Sequence, residues 1–376
     1  MNQYKLIFSF IVCSILFAAC QQKKSFSDQE YLTFIENVLQ EIYQEKGDLL
    51  NESIDYDVYI ERVMDEETEF KSKELLDFLQ KNFKPGTTMA KYVAEGADIR
   101  FVRFYRSNDT AHAIFRTYYN GGISVEDWEF GQQDGKIMVN DAFSIVSGIH
   151  WSDDWRMKAC MHFGVVNDNT ILIDQLMEIN YLISQEKFME ADSSYFWIEQ
   201  AAKNNLYART MQLNLASLHQ SYDDVMQLTK VFLKSFPDRQ TISEFYLLQS
   251  AIKQGLVDSV LLHAHHLTQL IGPDPIYFVY LSWAYKHANR LDEHLQALDS
   301  AIFYMPQVYD FYHNKLDVFY ETANYSEFVK ELYAIDSIFA PTGEDIPFYD
   351  QTYPKLLEVK EYNEWKQHRP QQQVMY

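Results

Sequence analysis

The sequence predicts an α+β N-terminal domain, with helices packed on an antiparallel meander, followed by an all-α superhelix of repeated hairpins. Three observations carry this expectation. A strongly amphipathic helix opens at residue 27. The apolar period then changes from helical to alternating between residues 98 and 145. From residue 171 to 340 a pattern of helix, short polar break and helix recurs at a fixed interval.

The first helix begins at the capping box Ser27-Asp28-Gln29-Glu30. Its apolar stripe is Tyr31, Phe34, Ile35, Val38, Leu39, Ile42 and Tyr43, and Gly47 is expected to stop it. A second helix is expected from Glu67 to Asn82, ending before Pro85-Gly86. Four strands follow, Asp98 to Arg106, Thr110 to Tyr119, Ile123 to Phe130 and Lys136 to Ile145. The turn residues Asn108-Asp109, Asn120-Gly121-Gly122 and Asp134-Gly135 lie between them. Strand alternation would put Arg100 and Arg106 on one face and Arg103 on the other. With His112, Arg116, Glu126 and Asp127 they are expected to form a solvated face laced by cross-strand ion pairs.

Helices followed by a meander, and the segment VEDWEFGQQDGKIMVNDAFSIVSG, resemble the cystatin-like and NTF2-like α+β folds. The resemblance implies a pocket between sheet and helix, with Asp141 near the end of the last strand. Such folds host both enzymes and catalytically silent modules.

The breaks of the C-terminal half are SQEKFMEA, HQSYDDVM, KQGLVDSV, KHANRLDE and ETANYSEF. Their first large apolar residues, Phe188, Tyr222, Leu256, Leu291 and Tyr325, are spaced by 34, 34, 35 and 34 residues. Unit four reads PIYFVYLSWAYKHANRLDEHLQALDSAIFYMP, and Leu281, Tyr285, Ala301 and Pro306 are its signature positions. Pro237 closes unit two in the same way. These units resemble divergent tetratricopeptide (TPR) repeats, five of them, over nearly half the chain. The interior small-residue position carries Val225, Ser259, His294 or Phe328 instead. One hairpin cannot bury its apolar face alone, so neighbours stack. The resemblance implies that first helices line a concave surface, presenting Asn180, Asn214, Trp283, Lys286, His287, His313, Asp317 and Tyr320 to a protein or peptide partner. The family's carboxylate clamp for peptide C-termini is not expected, because its basic members are largely missing. Pro354 to His368 is expected to cap the stack through Leu356, Leu357 and Tyr362, and Arg369 to Tyr376 to form a loose polar tail.

At the N-terminus, Lys5, the apolar run Leu6 to Phe17, the small pair Ala18-Ala19 and Cys20 resemble a bacterial lipobox, with Phe17 where Leu is usual. The run is too short to span a bilayer. Residues 1–19 are then a signal peptide, Cys20 is lipidated, and 20–26 form a tether. Further boundaries are 27–150 for the α+β domain, 151–170 for a junction, 171–340 for the repeats and 341–376 for cap and tail. Removal of Cys13 and lipidation of Cys20 leave Cys160 as the one remaining thiol, so no intramolecular disulfide is expected. A net charge of −22 argues against nucleic acid and against broad contact with anionic lipid headgroups.

Other candidate groups have structural readings. His263, His265 and His266 are expected to be core histidines rather than metal ligands, since no third ligand is visible near them. Cys160 with His162 lacks an orienting third group. Trp151 and Trp155, flanking Asp153-Asp154, are expected to pack at the junction rather than stack a sugar. No metal motif, phosphate loop or nucleophile elbow is present. The expectation is therefore a membrane-tethered, non-catalytic interaction lipoprotein of a bacterial envelope, without cofactor. The alternatives are a glycan- or nutrient-binding lipoprotein and an enzyme using a pocket in the α+β domain.

Overall fold

A computed structural model describes residues 26–64, 72–165, 168–340 and 345–369. Cys20, the expected signal peptide, most of the expected tether, residues 67–71 of the expected second helix, and the residues beyond Arg369 lie outside the described residues.

Five helices precede the sheet: α1 (Asp28–Tyr43), α2 (Asp48–Glu52), α3 (Tyr56–Val63), α4 (Ser72–Asn82) and α5 (Pro85–Ala94). The capping box forms, with Ser27 Oγ accepting from Glu30 N and Glu30 Oε2 accepting from Ser27 N. Two expectations change here. Pro85-Gly86 opens α5 instead of marking a loop, because proline at the first helical position has a preset φ and no N–H to satisfy. Gly47 does not end α1, since the left-handed residue after that helix is Glu45. Gly47 has another use: a Cβ there would overlap the backbone of Gly86 where α2 and α5 cross.

The sheet follows in sequence order, all antiparallel: β1 (Asp98–Ser107), β2 (Thr110–Tyr119), β3 (Gly122–Gln133), β4 (Lys136–Ser144) and the short β5 (Ile149–His150). Asn108-Asp109, Asn120-Gly121 and Asp134-Gly135 are its two-residue turns, each with positive φ at both positions, as a type I′ hairpin requires. A register shift between Phe101 and Arg103 breaks the alternation of β1. Arg100 and Arg103 consequently reach the same side, towards the carbonyls of Tyr304 and Leu270, whereas Arg106 turns back to Asp28 and Phe26. That reverses the expected pairing of the three arginines.

One face of the sheet packs on the N-terminal helices. Phe115, Trp128, Phe130, Val139 and Ala142 meet Tyr31, Ile35, Tyr59, Leu79 and Phe83 in a single core. The helix α6 (Trp151–Phe163) belongs to it, with Trp151 at 5.6 Å from both Trp128 and Phe83 between ring centroids and Trp155 at 5.3 Å from Phe83. Cys160 is buried in the same core.

Five helix pairs follow: α7 (Asp168–Ser184) with α8 (Phe188–Ala202), α9 (Leu206–His219) with α10 (Tyr222–Ser235), α11 (Gln240–Lys253) with α12 (Val257–Ile271), α13 (Ile276–His287) with α14 (Leu291–Tyr304), and α15 (Tyr309–Glu321) with α16 (Tyr325–Ile338). Four of the five second helices start at the residues that the sequence period marks, Phe188, Tyr222, Leu291 and Tyr325, and α12 starts one residue after Leu256, its N-cap. Helix α17 (Asp345–Thr352), a 3-10 turn (Pro354–Glu358) and α18 (Lys360–His368) close the array. The break at Val359 resets the helical register, so Leu357 is exposed and Trp365 is buried beside Leu356 and Tyr362. Arg369 is also not part of a loose tail: it lies over the Trp365 ring and pairs with Asp336 and Asp345.

The second face of the sheet is not solvated. It packs mainly on the first helices of the pairs: Ile114, Val125, Phe143 and Ile145 meet Leu213, Ile242 and Tyr246, with Ile271 from the end of α12, and Tyr118 meets Phe311. The seam beneath α11–α13 leaves only about 20 Å³. At its centre Arg116, 1% exposed, donates to the Asp98 carboxylate, to Asp98 O at 3.0 Å, and to Asp274 at 3.2 and 3.3 Å. Burial alone would lower the Arg116 pKa, but Asp274 and Asp98 outweigh it and hold the guanidinium above its ordinary value.

Two measurements check these contacts. Gly47→Ala should destabilise the protein by about 1–3 kcal/mol in urea unfolding, since the backbone of Gly86 has nowhere to go. His294 sits at the interior small-residue position of the fourth pair, and desolvation, then Lys286, push its imidazole down to about 4. The folded state therefore resists its protonation while the unfolded chain accepts a proton near the ordinary 6.5. Stability should fall by up to about 3 kcal/mol as pH drops from 6.5 to 4, at about 1.4 kcal/mol per pKa unit. His294→Leu should remove that slope, as followed by thermal unfolding across the same pH range.

Candidate functional site

The sheet covers most of the first-helix face and stops at the tip of the β2–β3 hairpin. Beyond Gly121, Gly122 and Ile123 the face stays open, leaving a cavity of about 880 Å³ against α9, α11, α13 and α15. Four residues expected on this surface meet there: Asn214, Trp283, Lys286 and His287. They come from α9 and α13, with Gln249 and Lys253 from α11 and Asn314 from α15. The repeat stacks first helices side by side, so equivalent turns of successive helices line one groove.

Its walls are aromatic and its rim is cationic. Phe188, Phe245, Tyr280 and Trp283 supply the apolar surface. Phe188 lies flat on His219, with ring centroids 5.8 Å apart, and the Lys253 ammonium sits 5.2 Å from the Phe188 centroid. Lys286 Nζ donates to Asn314 Oδ1 at 3.4 Å, and Asn314 is itself oriented by donating to Asp310 O at 2.7 Å. Desolvation, then Lys286 and Lys253, push the His287 imidazole below its usual pKa. Among the lining residues Glu186 is the one carboxylate. In a chain of net charge −22, a rim with Lys253 and Lys286 against the single carboxylate of Glu186 is a local inversion of sign.

The other four expected residues lie elsewhere. Asn180 is exposed on α7 and does not line the groove. His313, Asp317 and Tyr320 are engaged by the C-terminal segment. Tyr353 OH donates to Asp317 Oδ1 at 2.7 Å and meets His313 Nε2 at 3.1 Å, and Lys355 N donates to Tyr320 OH at 3.4 Å. A cap was expected at Pro354 to His368, but its contact with α15 through Tyr353 and Lys355 was not visible from periodicity. Lys253 had a visible signal. It closes its first helix and opens the break KQGLVDSV; the left-handed residues Gly255 and Asn289 align it with His287, one residue past Lys286.

The α+β domain uses its polar groups internally. Asp141, 2% exposed, accepts from Ser152 Oγ at 2.5 Å and Ser152 N at 3.1 Å, capping α6 from across the sheet, and also pairs with Arg62 at 3.3 Å. Desolvation raises the Glu126 carboxyl, and the indoles of Trp128 and Trp151, at 3.1 and 3.3 Å, offset part of that effect. Asp127 is shared by Tyr105 OH and by His112 Nδ1 at 3.2 Å. The centre of the space between helices and sheet, where the fold resemblance implied a pocket, is filled by Tyr31, Phe115, Trp128 and Phe130, and a cavity of about 520 Å³ opens only at its edge, between α1, α2 and the start of β4. No helix among the described residues is long and apolar enough to cross a membrane. No protein-family model, curated protein or solved structure matches this chain.

Proposed function

We propose that this protein is a lipid-anchored, non-catalytic binding module of a bacterial envelope, built on divergent TPR-like repeats. Its groove takes an extended protein segment bearing a carboxylate beside an apolar side chain. The observation that carries the reading is the convergence of Lys253, Lys286, His287, Asn214 and Asn314 on one aromatic-walled cavity of about 880 Å³, in a strongly acidic chain. Lysines present point charges, and the amides of Asn214, Gln249 and Asn314 offer both donors and acceptors to an extended backbone. Aromatic walls supply most of the contact area, as they do at protein interfaces. The family's clamp, with its several Lys and Arg, is not what this reading invokes: Lys253 and Lys286 alone supply the charge. The lipid on Cys20, followed by a short tether, would present the groove close to a membrane.

A glycan or nutrient is the second reading, favoured by Trp283 and Phe188 as stacking surfaces in the same cavity. Salt separates the two. Binding of an acidic peptide should weaken as ionic strength rises, whereas a neutral sugar should be indifferent.

Fluorescence anisotropy with a labelled library of peptides ending in acidic or amidated C-termini is the direct test. Acidic members should bind, and Lys253→Glu with Lys286→Glu should weaken them at least about tenfold, which is about 1.4 kcal/mol. Equal binding of amidated peptides, or no effect of the charge reversals, would reject the carboxylate reading.

A further inference from the structure

We propose that Glu244, His263 and His266 form a site for a divalent transition-metal ion, with zinc as the representative. His263 and His266 are one turn apart on α12, and Glu244 lies on the neighbouring α11, 19 residues before His263. In sequence the histidines lacked a third ligand; the packing of α11 against α12 provides it.

The geometry is that of a preformed ligand set. Both imidazoles turn Nδ1 towards one carboxylate oxygen, His263 at 2.7 Å and His266 at 3.2 Å from Glu244 Oε2. One ligand atom from each of the three residues lies within 4.8 Å of the others. Ligands at about 2.0–2.1 Å from a tetrahedral ion sit about 3.3 Å apart. The His266 edge already has that length, and the His263 edge has to open by about half an ångström. At its far end, His263 Nε2 meets Tyr222 OH at 2.5 Å. Ligating histidines are typically held in this way, by a hydrogen bond on the nitrogen that does not touch the metal. Two imidazoles and a carboxylate suit zinc, and also copper and nickel. Exposure is graded, with the side chains of His263, Glu244 and His266 at 7, 22 and 40%. The deep ligand is fixed and the outer one faces solvent, which leaves a position for water and a way in for the ion. An ion there would tie α11 to α12. The neighbour of Glu244 on α11, Phe245, lines the groove, so the site adjoins the binding surface without belonging to it.

The full-length protein, freed of metal with a chelator, should be titrated with Zn²⁺ in competition with a chromophoric chelator, and with Co²⁺ followed by visible absorption. One equivalent should bind, and Co²⁺ should give the intense bands of a four- or five-coordinate ion. His266→Ala and Glu244→Gln should each weaken zinc by more than the roughly 10–100-fold that loss of an outer-shell partner costs. His265→Ala should leave it unchanged, because His265 bonds Gln269 at 3.0 Å and is not in the ligand set. Should a variant fail to fold by circular dichroism, the wild-type cobalt spectrum decides. A spectrum of hexaaquo cobalt, absence of one-equivalent binding, or equal binding by wild type, His266→Ala and Glu244→Gln, would overturn the site.

Discussion

Arg116 is the contact on which the arrangement of the molecule depends. It stands in the middle of β2, and its guanidinium joins Asp98 on β1 to Asp274 in the connection between α12 and α13. Its second terminal nitrogen lies 3.6 Å from Met305 Sδ, just past the end of α14. Arg100 and Gln307 complete the set on Asp98. Two guanidinium groups therefore meet two carboxylates, and the cluster is close to neutral. Removing one member of such a set leaves an uncompensated buried charge, at a cost of about 3–5 kcal/mol. A set of this kind adds little net stability over an apolar contact, but it tolerates one docking position only. We read it as the device that fixes the register of sheet on helices.

The groove is a consequence of that docking. The first helices carry apolar residues on the inner face that the sheet covers, from α9 to α15. Where the β2–β3 hairpin ends, the face continues without cover, and there its composition changes from Leu213, Ile242 and Tyr246 to Asn214, Gln249, Lys253 and Lys286. Beyond the sheet these polar groups stand beside the apolar side chains of Phe245, Leu248, Tyr280 and Trp283. The type I′ turn at Asn120-Gly121 sets this boundary, because a longer loop would reach into the cavity.

Much of this was legible from local rules. Four strands and their two-residue turns follow from alternation and from Asn-Asp, Asn-Gly and Asp-Gly, and the second helix of each pair starts within one residue of where the period puts it. What failed did so through non-local causes. The bulge after Phe101 exchanged the partners of the arginines, and no residue in β1 announces it. The sheet face with Arg116 read as solvated because its partners, Asp274 and Met305, lie 158 and 189 residues away. Glu244 was invisible as a partner of His263 for the same reason, since only stacking of α11 on α12 brings them together. Half of the expected groove residues converge, because register along repeated helices is a local property. His313, Asp317 and Tyr320 do not, because the cap that covers them follows no period.

The central claim is that sheet and helical array form one unit, locked through Arg116. Hydrogen exchange under native conditions tests it most directly. Amides of β2 from Ile114 to Tyr118 and of α13 from Val279 to Ala284 should open together in the wild type, with a shared free energy. In Arg116→Met that shared opening should become easier, while amides of α1 and β4 keep their protection. Independent opening of β2 and α13 in the wild type, or no change in either upon Arg116→Met, would contradict the account.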